Sequence, residues 1–514
     1  MSEPLASQEH GRELLKGNHQ PHLILGVWGW PVKAASPEKS YHSFKSIEFL
    51  KGTKISAWKM TLLNIKSEAW AYSLITLGTE MLSSFFSFYY MKLFLEVYKI
   101  SELAFYQSQV ILMIWNILTD LSGYFHMSSQ NDCCLSYRCS LLGALLHAVA
   151  FLLPWFPWKH YRESDWLTGL QLVVSLCAFD STHTWVQQAQ CRLFAETSPR
   201  HESRLQLTRI NQVASLVGST SILFCGLISH NMEILPNFQA IAVLIAFLAL
   251  ISFYSGMFHM RRFEFQRIPE ENFLSESEQE LAGTSVILLM RQILPQRNLY
   301  LFLIMNFFQV FHLTFFSNFM MIFVDNLIPN KALSSSVRSI MYGAGFICPQ
   351  CLVLLGQSWL KTYGYYKVIL LSFCLEGAAA LVMLLLGQEH YFCLAVYLTV
   401  IMVIVHTSFC LFNLPVADMV DADLLKCKRQ SSLSLMVSVI NALFTRSAQS
   451  LAPILILSKL SQHGYRELTS RTLLDLQDSM FGLVCVISLG IATVQILTWS
   501  SFSISKRRDC PGMV

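Results

Sequence analysis

The stretch "ILMIWNILTDLSGYF", Ile111 to Phe125, decides what kind of protein this is. Bulky apolar residues are interrupted by Asn116, Thr119 and Asp120, and the run closes near Gly123. At 3.6 residues per turn these three polar residues, at i, i+3 and i+4, share one face of a helix. In water the pattern is a buried helix with a polar edge. In lipid, a charged side chain near the bilayer centre costs about 2.5–3.5 kcal/mol on insertion scales, so Asp120 needs a partner or a purpose.

Composition chooses the solvent. Of 514 residues, 53% are hydrophobic and 14% charged, and the mean hydropathy is +0.44. Soluble domains carry about 25% charged residues, so this chain would expose large apolar patches in water. Lipid is the expected solvent. The net charge of +4 carries no nucleic-acid signal. The fourteen Cys are scattered through apolar runs, apart from Cys133, Cys134, Cys427 and Cys510, which reads as buried thiols rather than a disulfide framework or metal site. No secretory signal is visible, and "HLILGVWGW" (22–30) is too short to span.

A helix needs about 20 apolar residues to cross the hydrocarbon core. Twelve runs qualify, near 69–91, 103–125, 139–157, 166–188, 211–230, 238–258, 298–324, 335–356, 367–387, 391–413, 433–458 and 478–500. The expected fold is an all-α membrane protein of twelve transmembrane helices in two pseudo-symmetric six-helix halves. The expected organisation is a poorly ordered cytoplasmic extension (1–66), an N-terminal half (67–258), a cytoplasmic linker (259–297), a C-terminal half (298–500) and a cytoplasmic tail (501–514). With the N-terminus inside, eighteen Lys and Arg fall in the cytoplasmic connections and tail against nine in the external loops, and the extension adds nine more inside. The positive-inside bias therefore puts both termini in the cytosol, with the plasma membrane as the default location.

Four ionisable residues stand out within the spans: Glu80 in the first, Asp120 in the second, Asp180 in the fourth and Arg446 in the eleventh. In "AFDSTHTWVQQAQ" (178–190), Asp180, His183, Gln187 and Gln190 form one polar stripe; Glu80, Ser83, Ser84 and Ser87 form another. Converging stripes would line a wet central cavity. Blander readings stay open: Asp120 as a helix cap, Asp180 as a helix-end carboxylate, His183 as a packing residue, and Glu80 with Arg446 as an ion pair that only joins the halves.

Five segments carry a family resemblance: "FFSFYYMKLFLEVYKIS" (85–101), "IWNILTDLSGYF" (114–125), "FDSTHTW" (179–185), "ETSPRHESRLQLTRINQVASLVGS" (196–219) and "VADMVDADLLKCKRQSSLSLMVSVINALFTRSAQSLAP" (416–453). In this order they resemble the glycoside–pentoside–hexuronide:cation symporters, the melibiose-permease branch of the major facilitator superfamily. Within the superfamily the likeness is to the transmembrane protein 180 group. The resemblance covers roughly 69–500 and implies a cation site at Asp120, Asp180, Asn116 and Thr119, and a sugar site at Glu80, Arg209 and Arg446. Asn116 stands where the family has a third Asp, and Leu121 where it has Pro. The loss of one carboxylate implies a weaker Na⁺ site, proton coupling or no coupling at all, with H⁺ expected over Na⁺. The loop "HMSSQNDCCLSYR" (126–138) keeps only Arg138 of the superfamily's basic gating cluster.

The function expected from all this is a secondary active transporter, not an enzyme. It would move a small polar, sugar-like solute by cation-coupled alternating access. No cofactor is expected beyond H⁺ or Na⁺, with no other metal, no nucleic acid, a lipid bilayer around it and a monomeric state. The alternative is a transport-silent scaffold or receptor that keeps the fold.

Overall fold

The computed structural model describes residues 67–128, 133–159, 166–197, 201–264, 297–412, 414–416, 418–419, 434–463, 465 and 470–502. Among these residues there is no strand, and twelve long helices follow one another. They are α1 (Ser67–Lys92, continued by a π-helical turn, Leu93–Val97), α2 (Glu102–Ser128), α3 (Cys133–Leu152), α4 (Trp166–Thr197), α5 (His201–Ser229) and α6 (Leu235–Glu264). The second set is α7 (Arg297–Leu327), α8 (Ser335–Leu355), α9 (Gln357–Leu386), α10 (Tyr391–Leu411), α11 (Ser434–Gln462) and α12 (Ser470–Ser500).

Each expected span coincides with one helix, and the ends differ for physical reasons. Hydropathy stops where polar residues begin, but the backbone ladder does not, so α4 runs on to Thr197 and α6 to Glu264. The third span, expected over 139–157, is shifted toward the N-terminus: α3 starts at Cys133 and stops at Leu152. The following Trp155 is wholly buried, its ring edge-on to Phe85, Phe151 and Phe238 at 5.3, 5.6 and 5.3 Å. Burying so large a ring fixes the turn. In α9, Gly364 sits at φ +76°, a break that only glycine takes easily, and the apolar stretch begins just beyond it. The extension 1–66, linker residues 265–296 and the tail beyond 502 lie outside the described residues.

The packing repeats every six helices. In the first half α1 packs on α4, α5 and α6, α3 on α4 and α6, and α2 on α4. In the second, α7 packs on α10, α11 and α12, α9 on α10 and α12, and α8 on α10. Across the halves α2 meets α11, α5 meets α8, and α1 meets α7. Adding six to every label returns the same set, which is the pseudo-two-fold relation between the halves.

Among the described residues, seven helices are long and apolar enough to cross a membrane: α5 (from Leu207), α6, α7, α8, α9 (from Thr362), α10 and α12 (from Leu474). Helix α1 is not among them, and its burial says why. From Ala71 to Leu95 no residue is exposed; the half-buried ones are Leu74, Leu77, Glu80, Ser83, Ser87 and Lys92, a single stripe. Surrounded by protein, α1 has no lipid to match, and its accessible stripe is polar at its centre.

Small residues let α1 sit so deep. A Cβ on Gly256 of α6 would stand 2.7 Å from the Ala71 carbonyl oxygen and 2.7 Å from Ile75 Cγ1. Backbone cannot yield as a side chain can, so Gly256→Ala is expected to destabilise by about 1–3 kcal/mol. Gly482→Ala, with no atom within 4 Å of the added methyl, is the control. Unfolding of the purified protein in detergent measures the difference, and equal stability of the two variants would show that α1 and α6 are not in close contact.

Candidate central binding site

Halfway along the bundle, Arg446 reaches from α11 across to the N-terminal half. Its Nη1 lies 2.6 Å from Asp180 Oδ1, its Nη2 donates to Thr184 Oγ1 at 3.1 Å, and its Nε stands 3.6 Å from Asp120 Oδ2. Asp180 and Thr184, four apart on α4, present one face to the guanidinium, while Asp120 approaches from α2. The three charged side chains are only 16% (Arg446), 17% (Asp180) and 10% (Asp120) exposed. Removed from water, each charge is tolerable only because the others are there. Asp120 and Asp180 thus both face the one guanidinium of Arg446.

The site keeps unmet hydrogen-bonding capacity. Asp120 Oδ2, Asp180 Oδ2, Asn116 Oδ1 and His183 Nδ1 are buried with no hydrogen-bond partner among the described residues. Asn116 is buried, and Thr119 uses its hydroxyl on the Asn116 carbonyl, 3.0 Å away. His183 lies beside His147 of α3, ring centroids 5.4 Å apart, and His147 Nδ1 is 3.1 Å from Thr182 Oγ1. The polar face around Asp120 is thus oxygen-rich and turned inward.

Glu80 and Arg209 fall outside this cluster. The Glu80 side chain lies against α5, its Cβ beside Gly218. The expected Glu80–Arg446 ion pair is therefore not formed; Arg446 has nearer acids. Arg209 is exposed near the start of α5 and makes no ion pair with Glu80, Asp120 or Asp180.

Within the C-terminal half, a cleft of about 120 Å³ opens between α7, α10 and α11. Its walls join the amides of Asn306, Asn441 and Gln449 and the Thr445 hydroxyl to the rings of Phe302 and Phe409. Asn306 Nδ2 donates to Asn441 Oδ1 at 2.7 Å, leaving Asn306 Oδ1 buried without a donor. Amide and hydroxyl groups beside aromatic faces suit a neutral, hydroxyl-bearing molecule. None of these residues was singled out in the sequence, because uncharged amides and phenylalanines in a span look like ordinary packing. Glu376 in α9 and His312 in α7 were also passed over, although an ionisable residue ten positions inside an apolar span is the same signal that marked Asp120.

At the end of the bundle away from the start of α1, the distal end, a second set of charges spans the halves. Lys92 Nζ lies 2.5 Å from Asp325 Oδ2, and Arg338 Nη1 2.7 Å from Asp325 Oδ1. Arg338 also donates to the Ile328 carbonyl at 2.6 Å. Asn231 Nδ2 donates to the Ser335 carbonyl at 3.1 Å and Asn231 Oδ1 accepts from Ser339 Oγ at 2.9 Å. Deeper in, Asn318 Nδ2 of α7 donates to Tyr90 OH of α1 at 2.9 Å. The distal end is closed.

Twelve helices in two equivalent halves, with ionisable groups meeting between them, define the major facilitator fold, an architecture of multi-pass membrane transporters. Residues 71–506 match the family described as MFS/sugar transport protein, and the chain belongs to that family. It is 28% identical to transmembrane protein 180 of Gallus gallus over 85% of this chain and 92% of that protein. It is 27% identical to transmembrane protein 180 of Mus musculus over the same shares. Among solved structures, a mutant of the nucleoside transporter NupG is similar with a TM-score of 0.56 at 13% identity, covering 85% of this chain and all of that one.

Proposed function

We propose that the protein is a secondary transporter that carries a small neutral, sugar-like solute by cation-coupled alternating access. The observation that supports this is the Arg446 bridge. One cation from the C-terminal half is held by two acids from the N-terminal half, so whatever neutralises or replaces a partner in that bridge changes how strongly the halves hold together. A proton arriving at Asp120 or Asp180 weakens the grip on Arg446, whose chain neighbour Thr445 lines the Asn306–Asn441 cleft where a solute would sit. Asp120 Oδ2, Asp180 Oδ2 and Asn116 Oδ1, with Thr119, would supply the oxygens for the coupling ion. With only two carboxylates and a fixed guanidinium already present, H⁺ is favoured over Na⁺, since a hard cation is held by several oxygens and drawn by net negative charge. The distal end is assigned to the outside and both termini to the cytosol by the excess of Lys and Arg in the inner connections.

A second reading, a scaffold that keeps the fold without transport, draws on the same bridge: Asp120 and Asp180 already have their counter-charge within the protein. Uptake separates the two. Purified protein in liposomes, offered labelled neutral monosaccharides and disaccharides, is expected to accumulate at least one when the outside is made acidic. Asp180→Asn is expected to abolish the effect of the proton gradient. If the protein takes up none of them saturably, with or without a gradient, the scaffold reading stands.

A further inference from the structure

Two glycines set off a short helical segment between α8 and α9. Helix α8 ends at Leu355, Gly356 departs from the helical ladder with ψ −4°, and Gly364 breaks the chain again at φ +76°. Beyond Gly364 the chain is held fast. Tyr366 OH donates to the Trp499 carbonyl at 3.1 Å, Trp499 Nε1 donates back to the Tyr366 carbonyl at 3.0 Å, and Tyr365 OH donates to Asp418 Oδ2 at 2.5 Å. Before Gly364, Leu360 packs against the cluster that holds Leu299, Phe302, Phe412 and Trp499.

The large side chains on either side of Leu360 are left uncovered. Trp359 and Tyr363, one turn apart, share a face of the segment and are 70% and 61% exposed. Leu355, one turn before Trp359, is 75% exposed. The rest of the segment is polar. Ser358 and Thr362 are exposed, and the Thr362 hydroxyl donates to the Ser358 carbonyl at 2.9 Å. Lys361 stands two positions beyond Trp359, about 200° round the helix, and so belongs to the opposite face.

Neither water nor hydrocarbon suits such a segment. In water, Leu355, Trp359 and Tyr363 make an apolar patch, and in hydrocarbon a lysine is costly. The interface between the two suits both faces, since Trp and Tyr rings settle at headgroup level and lysines reach into water. Its place in the bundle agrees. Helix α8 starts at the distal end with Ser335, so the segment stands at the other end, where the apolar span of α9 begins at Thr362. The charge there has one sign: from Cys351 to Leu375 the chain carries Lys361 and Lys367 and no acid. Lys367 is exposed. Aromatic rings anchor to any headgroup, whereas lysines without an acid favour negative ones.

We propose that residues 355–367 form an interfacial binding site for anionic phospholipids of the leaflet opposite the distal end. Leu355, Trp359 and Tyr363 enter among the upper acyl carbons, and the two lysines supply the charge that draws the headgroups. The site is separate from the Arg446 bridge and does not depend on whether any solute is carried, so its test uses none.

Full-length protein is placed, one copy per nanodisc, in phosphatidylcholine alone or with about a third phosphatidylserine, and amide hydrogen exchange is followed over 355–364. Exchange proceeds from the undocked segment, so its rate falls as docking tightens. A lysine beside an anionic surface is worth about fivefold in binding, so phosphatidylserine is expected to slow exchange by about fivefold or more. Lys361→Gln/Lys367→Gln is expected to lose this response and to exchange in both discs as in phosphatidylcholine. Trp359→Ser is expected to exchange fast in both. Equal wild-type rates with and without phosphatidylserine, a response kept by the double lysine variant, or slow exchange in Trp359→Ser would overturn the proposal. Protection that appears only in discs holding two copies would overturn it as well, by making this face a contact between proteins.

Discussion

Arg446→Leu is expected to destabilise the protein by about 3–5 kcal/mol, because it leaves Asp120 and Asp180 buried without their counter-charge. Breaking one partner of such a cluster costs far more than replacing all of it. The triple variant Asp120→Asn/Asp180→Asn/Arg446→Leu is therefore expected to recover most of the loss. Glu80→Gln is expected to recover none, since the acids paired with Arg446 are Asp120 and Asp180. Unfolding of each variant in mixed detergent micelles reads the three results. Rescue by Glu80→Gln, or an unimpaired single variant, would mean that the bridge does not hold the halves.

Asp325→Asn is expected to open the distal end. Asp325 is the only acid shared by Lys92 and Arg338 among the described ion pairs, and the Arg338 side chain is just 5% exposed. Removing one partner of a pair this buried costs about 3–5 kcal/mol, and each 1.4 kcal/mol is tenfold in an equilibrium, so the closed form loses at least tenfold in population. A cysteine introduced at Ser83, on the inward stripe of α1, should then react with a membrane-impermeant thiol reagent from the distal side. In the Asp325 parent it should be protected. Equal labelling in both would show that Lys92, Asp325 and Arg338 do not latch the end.

Much of this molecule could be read before its structure was known, and the boundary of legibility is physical. Spans were visible because lipid imposes one demand on every helix that touches it. Asp120, Asp180 and Arg446 stood out because the same demand makes a charge in lipid conspicuous. Who pairs with whom was not visible: helical spacing places Asp180 and Thr184 on one face but cannot say that α11 delivers Arg446 there and α5 brings Gly218 against Glu80. Pairing across halves depends on the rotation of each helix about its axis, which tertiary packing sets. The cleft was hidden for another reason. Asn306, Asn441 and Thr445 carry no charge, and in sequence they look like residues that satisfy one another. His312 and Glu376 were legible by the rule that found Asp120, and they belong with it.

The burial of α1 also bears on how the chain is made. It is the first of the twelve helices to leave the ribosome, and its inward stripe carries Glu80, Ser83 and Ser87 into a bilayer where nothing yet covers them. An ionised side chain at that depth is disfavoured by a few kcal/mol until protein surrounds it. Its covering neighbours α5 and α6 are synthesised more than a hundred residues later, ending at Glu264. The first helix must therefore wait, held by the insertion machinery or displaced toward the interface, until the sixth is complete. A nascent chain truncated after α4 should leave α1 loosely inserted and open to proteolysis, and one extended through α6 should protect it. The six-helix half is thus the smallest piece in which the opening helix finds its place.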